Sequence, residues 1–224
     1  MVLSGAEPRA DERSARAERV AGAEERPGQR AARRPGRPAA ATPGEVVAAA
    51  RAAFLAGERV DVQSIAAALG LSRASVYRWF GSREGVLGAV LAGEYEALIS
   101  RADARRRGAG GARVLEVLAR VNRWMSDNEP FRRYFEHEQR AGLRTLTAGD
   151  GPVQPRAVRA VEELVRRAVV DDGYEPPMAP DLLAYAMVRL GEAFLYNDSA
   201  VGITGDVERL RTVQAALLGL PADS

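Results

Sequence analysis

The chain has 224 residues, 46% of them hydrophobic and 28% charged, which is the balance of an ordinary globular protein. It has no cysteine, so disulfides and thiolate metal sites are excluded, and no apolar run approaches the roughly 20 residues that cross a bilayer. The net charge is +2, yet all 32 basic residues are arginine, and five fall between Arg26 and Pro38 with no acid among them, which points to one anionic docking surface.

Residues 1–41 are rich in Arg, Ala, Gly, Glu and Pro, have almost no large apolar side chains, and are expected to form a disordered basic arm. No signal peptide is read in them, so a cytoplasmic protein with no membrane partner is expected. The Gly36-Arg37-Pro38 core reads either as an arginine hook for an A·T-rich minor groove, with Arg37 entering it, or as a solubilising tail.

Order is expected to begin at Thr42-Pro43-Gly44-Glu45, a capping box with proline at the first helical position. Val47, Ala50 and Phe54 follow at helical spacing up to Gly57. A second helix opens at Asp61 and runs to Gly70, and a third is capped by Ser72 and ends near Phe80. Ser82 caps a longer helix carrying Val86, Leu87, Val90, Leu91, Tyr95 and Leu98, which ends before the linker Gly108-Ala109-Gly110-Gly111.

Beyond the linker, Val114, Val117, Leu118, Val121, Trp124 and Met125 share a helical face. A break at Asn128-Glu129-Pro130 precedes an aromatic cluster of Phe131, Tyr134 and Phe135. Further helices carry Val158 to Val169, start at Pro180, and place Val207, Leu210, Val213 and Leu217 on one face. No segment alternates with period two, so the fold class is all-α: an N-terminal three-helix DNA-binding domain over 42–100 and a helical regulatory and dimerisation domain over 111–220.

The run from Val62 to Gly81 has the requirements of a helix-turn-helix. Ala66 is small where the helices cross, and Gly70 tolerates a left-handed turn. Ile65, Leu69, Leu71, Val76 and Trp79 are placed to hold the pair together. Ser72 opens the second helix, which exposes Arg73, Ala74, Ser75, Tyr77 and Arg78, a set of forks, hydroxyls and small apolar contacts suited to a major groove.

The stretch IAAALGLSRASVYRWFGSREGVLGAVL resembles the DNA-binding domain of the TetR family of transcriptional regulators, through Phe54, Ile65-Ala66, Val76-Tyr77, Phe80, Arg83 and Val86-Leu87. The resemblance implies a contact of Tyr77 with the DNA backbone or a thymine methyl, and of Arg83 with a phosphate. Trp79 stands where histidine is frequent, which leaves position 79 open between packing inward and leaning on the DNA. The runs VRLGEAFLYND and GDVERLRTVQAALLG resemble a QsdR-like branch of the family, whose implied ligands are lactone-like or other small apolar signals. The family implies a homodimeric repressor released from a palindromic double-stranded DNA operator by a small-molecule effector.

Trp124, Met125, Phe131, Tyr134, Phe135, Met187, Arg189 and Phe194 are the candidates for lining an effector pocket, with simple core packing as the alternative for each aromatic or methionine. Arg189 and Glu192 are three residues apart and either pair with each other, face a partner or orient a ligand. Dimerisation is expected through the helices of residues 180–197 and 204–219, with Leu210 and Val213 in the interface. His137 is the only histidine, and no nucleophile elbow, phosphate loop or metal set accompanies it, so no catalytic residue, no metal and no cofactor is expected, and the chain does not read as an enzyme.

Overall fold

The computed structural model describes residues 41–137, 142, 144–146, 151–196 and 206–221. The arm containing Arg37 lies outside them, as do the side chains of Phe135 and His137. The described residues form α1 (Pro43–Leu55), α2 (Val62–Ala68), α3 (Arg73–Phe80), α4 (Arg83–Ala104), α5 (Gly110–Asp127), α6 (Glu129–His137), α7 (Gln154–Asp172), α8 (Pro180–Tyr196) and α9 (Val207–Leu217), with 144–146 also helical. No strand occurs among them.

The helix starts follow local chemistry. Thr42 and Glu45 form the capping box of α1 with Pro43 behind the cap. Asp61, Ser72 and Ser82 each accept a backbone N–H within the first turn of α2, α3 and α4, at 3.0, 3.1 and 3.1 Å. Each such bond stabilises its helix by about 1 kcal/mol. Asn128 serves two helices, closing α5 with its own N–H and receiving the Phe131 N–H on its side chain at 3.2 Å. Gly173 at φ +68° ends α7, and Asp206 caps α9.

The core face of α1 is Val46, Ala50 and Phe54, with Val47 only half-buried, one position from the expected register. In the helix pair α2–α3, Ala66 and Val76 are buried, Ile65, Leu69 and Leu71 flank them, and Gly70 turns the chain at φ +66°. Trp79 is not part of this seam. It is 37% exposed at the end of α3, because the α3 side that meets α2 and α1 is filled by Val76 and Phe80.

The central element is α4. Its buried Val86, Leu87, Val90 and Leu91 belong to the same core as α1, and its later turns pack on α5 and α7. Gly88 lets Pro152 approach closely: a Cβ there would lie 2.4 Å from Pro152 Cγ. Next along the helix, the buried Glu94 receives Arg51 of α1.

The far end of α4 is held by charge. Arg113 of α5, 1% exposed, grips Asp103 through two bonds of 2.8 and 3.1 Å. Its remaining terminal nitrogen reaches Asp171 and Asp172 of α7 at 3.0 Å each, and Arg167 adds a further bond to Asp103 at 3.1 Å. A buried guanidinium is tolerated because its donors are satisfied by three carboxylates. Burial pushes the Asp103 carboxyl up, but the bonds and charge of Arg113, then of Arg106 and Arg167, outweigh it and hold the group below its usual range.

The most extensive helix pairing is α7 on α8, with α9 packed on α5 and α8. Leu210 is fully buried in this packing, which removes it from the dimer surface expected of it. The exposed large apolar residues lie instead on α7 and α8: Val170, Leu182 and Tyr185, with Val213 the one on α9.

Candidate DNA interface and effector cavity

The DNA-reading face is set by the α3 cap. Ser72 holds the first turn, its hydroxyl 2.9 Å from that of Ser75, so both serines sit at the N-terminal end of the helix. Arg73, Ala74 and Arg78 are exposed, while Ser75 and Tyr77 are half-buried beside them. The Arg73 guanidinium lies 4.9 Å over the Tyr77 ring and donates to the Tyr77 hydroxyl at 3.0 Å. The fork and the phenol are thereby presented together. Arg83 is turned the other way: its Nε donates to the Val60 carbonyl at 3.0 Å, tying the start of α4 to the chain entering α2.

The pocket candidates separate into three places. Met125 and Met187 line a narrow cavity enclosed by α4, α5, α7, α8 and α9, of about 40 Å³. Phe131 and Tyr134 do not reach it. They stand edge-on to Phe54 of α1, at 6.2 and 6.0 Å between ring centres, and Trp124 meets Phe131 at 6.3 Å. These rings form an aromatic chain from α5 through α6 to the DNA-binding helices, because α6 emerges from Asn128 against α1 rather than over the cavity. Arg189 is exposed and pairs with Glu192 at 2.7 Å, the first of the alternatives open for that pair; Phe194 is half-buried outside the cavity lining.

Sequence reasoning missed most of the polar cavity wall: Tyr95, Asn122 and Gln214, which stand with Gly191 and with Glu192, a residue whose spacing from Arg189 offers it for orienting a ligand. Asn122 donates to Gln214 at 3.1 Å, and Gln214 donates to the Met187 carbonyl at 3.4 Å, all three buried. A signal was there. Gln214 follows Leu210 by four residues on the buried face of α9, and Asn122 interrupts the apolar face of α5. Burial raises the Tyr95 phenol and the Glu192 carboxyl; Arg189 and the Gln154 amide act against the latter.

An exposed recognition helix, set on a helical body with a cavity between its helices, defines a helix-turn-helix transcription regulator with a ligand-binding domain. Residues 109–219 match the family model described as the tetracyclin repressor-like, C-terminal domain. The structure is similar to that of QsdR of R. erythropolis, a transcriptional repressor of the TetR family, at 25% identity and a TM-score of 0.71, covering 80% of this chain and 94% of that one. It shares its fold with RolR in complex with resorcinol, at 14% identity and a TM-score of 0.58, covering 81% and 89% of the two chains. No curated protein sequence matches the chain. The chain belongs to the TetR family of transcriptional regulators.

Proposed function

We propose that the protein is a homodimeric repressor that leaves a palindromic operator when a small molecule enters the cavity of its C-terminal domain. One observation carries this reading. Adjacent residues of α4 serve the two functions: Glu94 is bound by Arg51 of the DNA-binding domain, and Tyr95 lines the cavity. A ligand that displaces Tyr95 therefore acts on the helix that positions α1 and α3. The DNA contacts are assigned to Ser72, Arg73, Ala74, Ser75, Tyr77 and Arg78, with Trp79 at the exposed edge of α3, and Arg37 belongs to the arm reading alone. Arg83 supports the first turn of α4 through Val60, which makes it a positioning residue as well as a candidate phosphate contact.

Dimerisation is assigned to α7 and α8 rather than to α8 and α9. Val170, Leu182 and Tyr185 are 82%, 56% and 50% exposed, and apolar side chains of this size favour a covered surface. A two-fold axis across this face would give a four-helix bundle. The effector class implied by the QsdR likeness, a lactone-like or other small apolar signal, suits a mostly apolar cavity.

The test is operator selection from genomic fragments, followed by fluorescence anisotropy with the selected duplex. Specific binding at two half-sites about one helical turn apart, lost saturably on adding a small molecule, supports the reading. Binding with no sequence preference would make the protein an architectural DNA binder instead.

A further inference from the structure

The reading of the α4–α9 cavity as the effector site leaves open what chemistry fills it, and the atoms of its wall decide that. The lining is apolar along Leu118, Met125, Val153, Met187, Val188 and Leu195. Among the described residues no arginine lines it. The one ionisable acid among them is Glu192, whose Oε2 is engaged by Arg189 from the exposed side of α8. The other polar groups are partly spent on one another. Asn122 gives one amide N–H to Gln214, and Gln214 gives one of its own to Met187, so one donor of each amide is spent inside the wall. The Glu192 carboxylate is bonded by the Gln154 amide as well as by Arg189. The Asn122 Oδ1 and the Tyr95 hydroxyl make no hydrogen bond among the described residues. The amide oxygen only accepts, and the phenol does either.

Resting on that reading of the cavity, we propose that the effector is an uncharged, largely apolar molecule presenting an O–H or N–H donor, and that the site rejects carboxylates and phosphates. An anion entering here would lose its hydration without meeting a cation and would face the Glu192 carboxylate. A cation would gain little, since Arg189 already neutralises Glu192. A neutral hydroxyl or amide N–H meets the Asn122 Oδ1 directly, and its own oxygen takes the Tyr95 proton. Burial pushes the Tyr95 phenol upward, which keeps that proton available as a donor. The cavity of about 40 Å³ is far below the roughly 300 Å³ of a pocket that takes a drug-sized molecule, so the ligand must spread the walls. Met125 and Met187 are suited to yield, being unbranched and adaptable.

The experiment titrates the full-length protein calorimetrically with three probes of one shape: 4-propylphenol, 4-propylanisole and 4-propylbenzoate. The phenol is expected to bind about tenfold more tightly than either the capped ether or the anion, the difference made by one buried hydrogen bond. Tyr95→Phe should weaken the phenol, and Glu192→Gln should narrow the deficit of the benzoate. Gly191→Ala locates the ligand: the added Cβ meets only Asn122 Oδ1, at an ordinary 3.8 Å, so the helix is kept while the cavity shrinks. Phenol binding unchanged by Gly191→Ala would place the ligand elsewhere and sink the cavity reading itself. Benzoate matching phenol, with both weakened by Gly191→Ala, would keep the cavity and overturn the donor rule. A phenol that does not bind at its solubility limit overturns that rule as well.

Discussion

Phe54, in the last turn of α1, stands nearly perpendicular to Phe131 of α6, with an angle of 89° between the ring planes and 6.2 Å between their centres. Phe131 is 3% exposed and also meets Trp124 edge-on, so one side chain joins the DNA-binding helices to the regulatory body. Each such contact contributes about 0.5–1.5 kcal/mol beyond burial. Phe131→Leu is expected to lower stability by about 1–3 kcal/mol in urea unfolding and to blunt the effect of a ligand on operator affinity. Unchanged stability would show that the rings merely lie near one another.

The two apolar surfaces of the C-terminal domain predict opposite phenotypes. Leu210→Glu places a charge in the protomer's own core and should prevent folding, seen as lost helical circular dichroism. Tyr185→Glu or Leu182→Glu should leave the helical signal intact, yield a monomer in sedimentation, and weaken operator binding strongly because each half-site alone binds weakly. A folded dimer carrying both α8 changes would move the interface away from α7 and α8.

On the recognition helix, Arg73→Ala is expected to cost about 1–3 kcal/mol of specific operator binding if the fork reads a guanine edge. Tyr77→Phe removes the hydroxyl that Arg73 donates to but keeps the ring beneath the guanidinium. It should therefore cost less than Arg73→Ala. Equal affinity of Arg73→Ala and the parent for operator in an anisotropy titration would displace α3 from the groove.

The Arg113 cluster predicts an acid limit. The Asp103 and Asp172 carboxyls are held below their usual range: the former by Arg113, Arg106 and Arg167 against the effect of burial, the latter by the Gly110 N–H and then Arg113. A carboxyl with a depressed folded value stabilises fully above its unfolded value of about 3.9. That stability is lost as pH falls through the still lower folded value. Arg113→Met is therefore expected to flatten the dependence of thermal midpoint on pH below about pH 4. At neutral pH, Arg113→Ala should cost about 3–5 kcal/mol, since it empties the buried centre of the cluster and leaves Asp103 to Arg167 and Arg106 alone.

Gly88→Ala tests the close approach of α4 to Pro152. The new methyl would overlap the Pro152 ring, which cannot swing aside as a long side chain would. A loss of about 1–3 kcal/mol is expected despite the gain in helix propensity. A stabilised variant would mean that the Pro152 ring does not hold its place against α4.

Capping chemistry made the helix starts legible in the sequence, since Thr42, Asp61, Ser72 and Ser82 act within three residues of themselves. The phase of α1 was off by one residue because periodicity over three turns cannot separate Val46 from Val47, whereas the cap geometry does. The cavity was legible in its methionines and in Glu192. Trp124, Phe131 and Tyr134 have the composition of a pocket, but α6 leaves α5 toward α1, and that direction is a tertiary fact. Tyr95 sat unnoticed in an apolar helix because its role depends on α8 bringing Glu192 opposite. Leu210 and Leu182 are identical in type and helical setting, and only packing against α5 decides which of them is inside.

The buried grip of Arg113 on Asp103 also fixes where α4 can turn. Breaking it would strand a guanidinium and a carboxylate together, so that end of the helix acts as a fulcrum. At 1.5 Å per residue, Tyr95 lies about 12 Å from this fulcrum and Arg83 about 30 Å. A ligand that pushes the Tyr95 ring sideways by about 1 Å would carry Arg83, and α3 with it, by about 2.5 Å. Two protomers swinging in opposite senses would then change the spacing of their reading heads by more than one base-pair step of about 3.4 Å. In such a swing, the salt bridge at the far end of α4 would set the mechanical advantage of the helix.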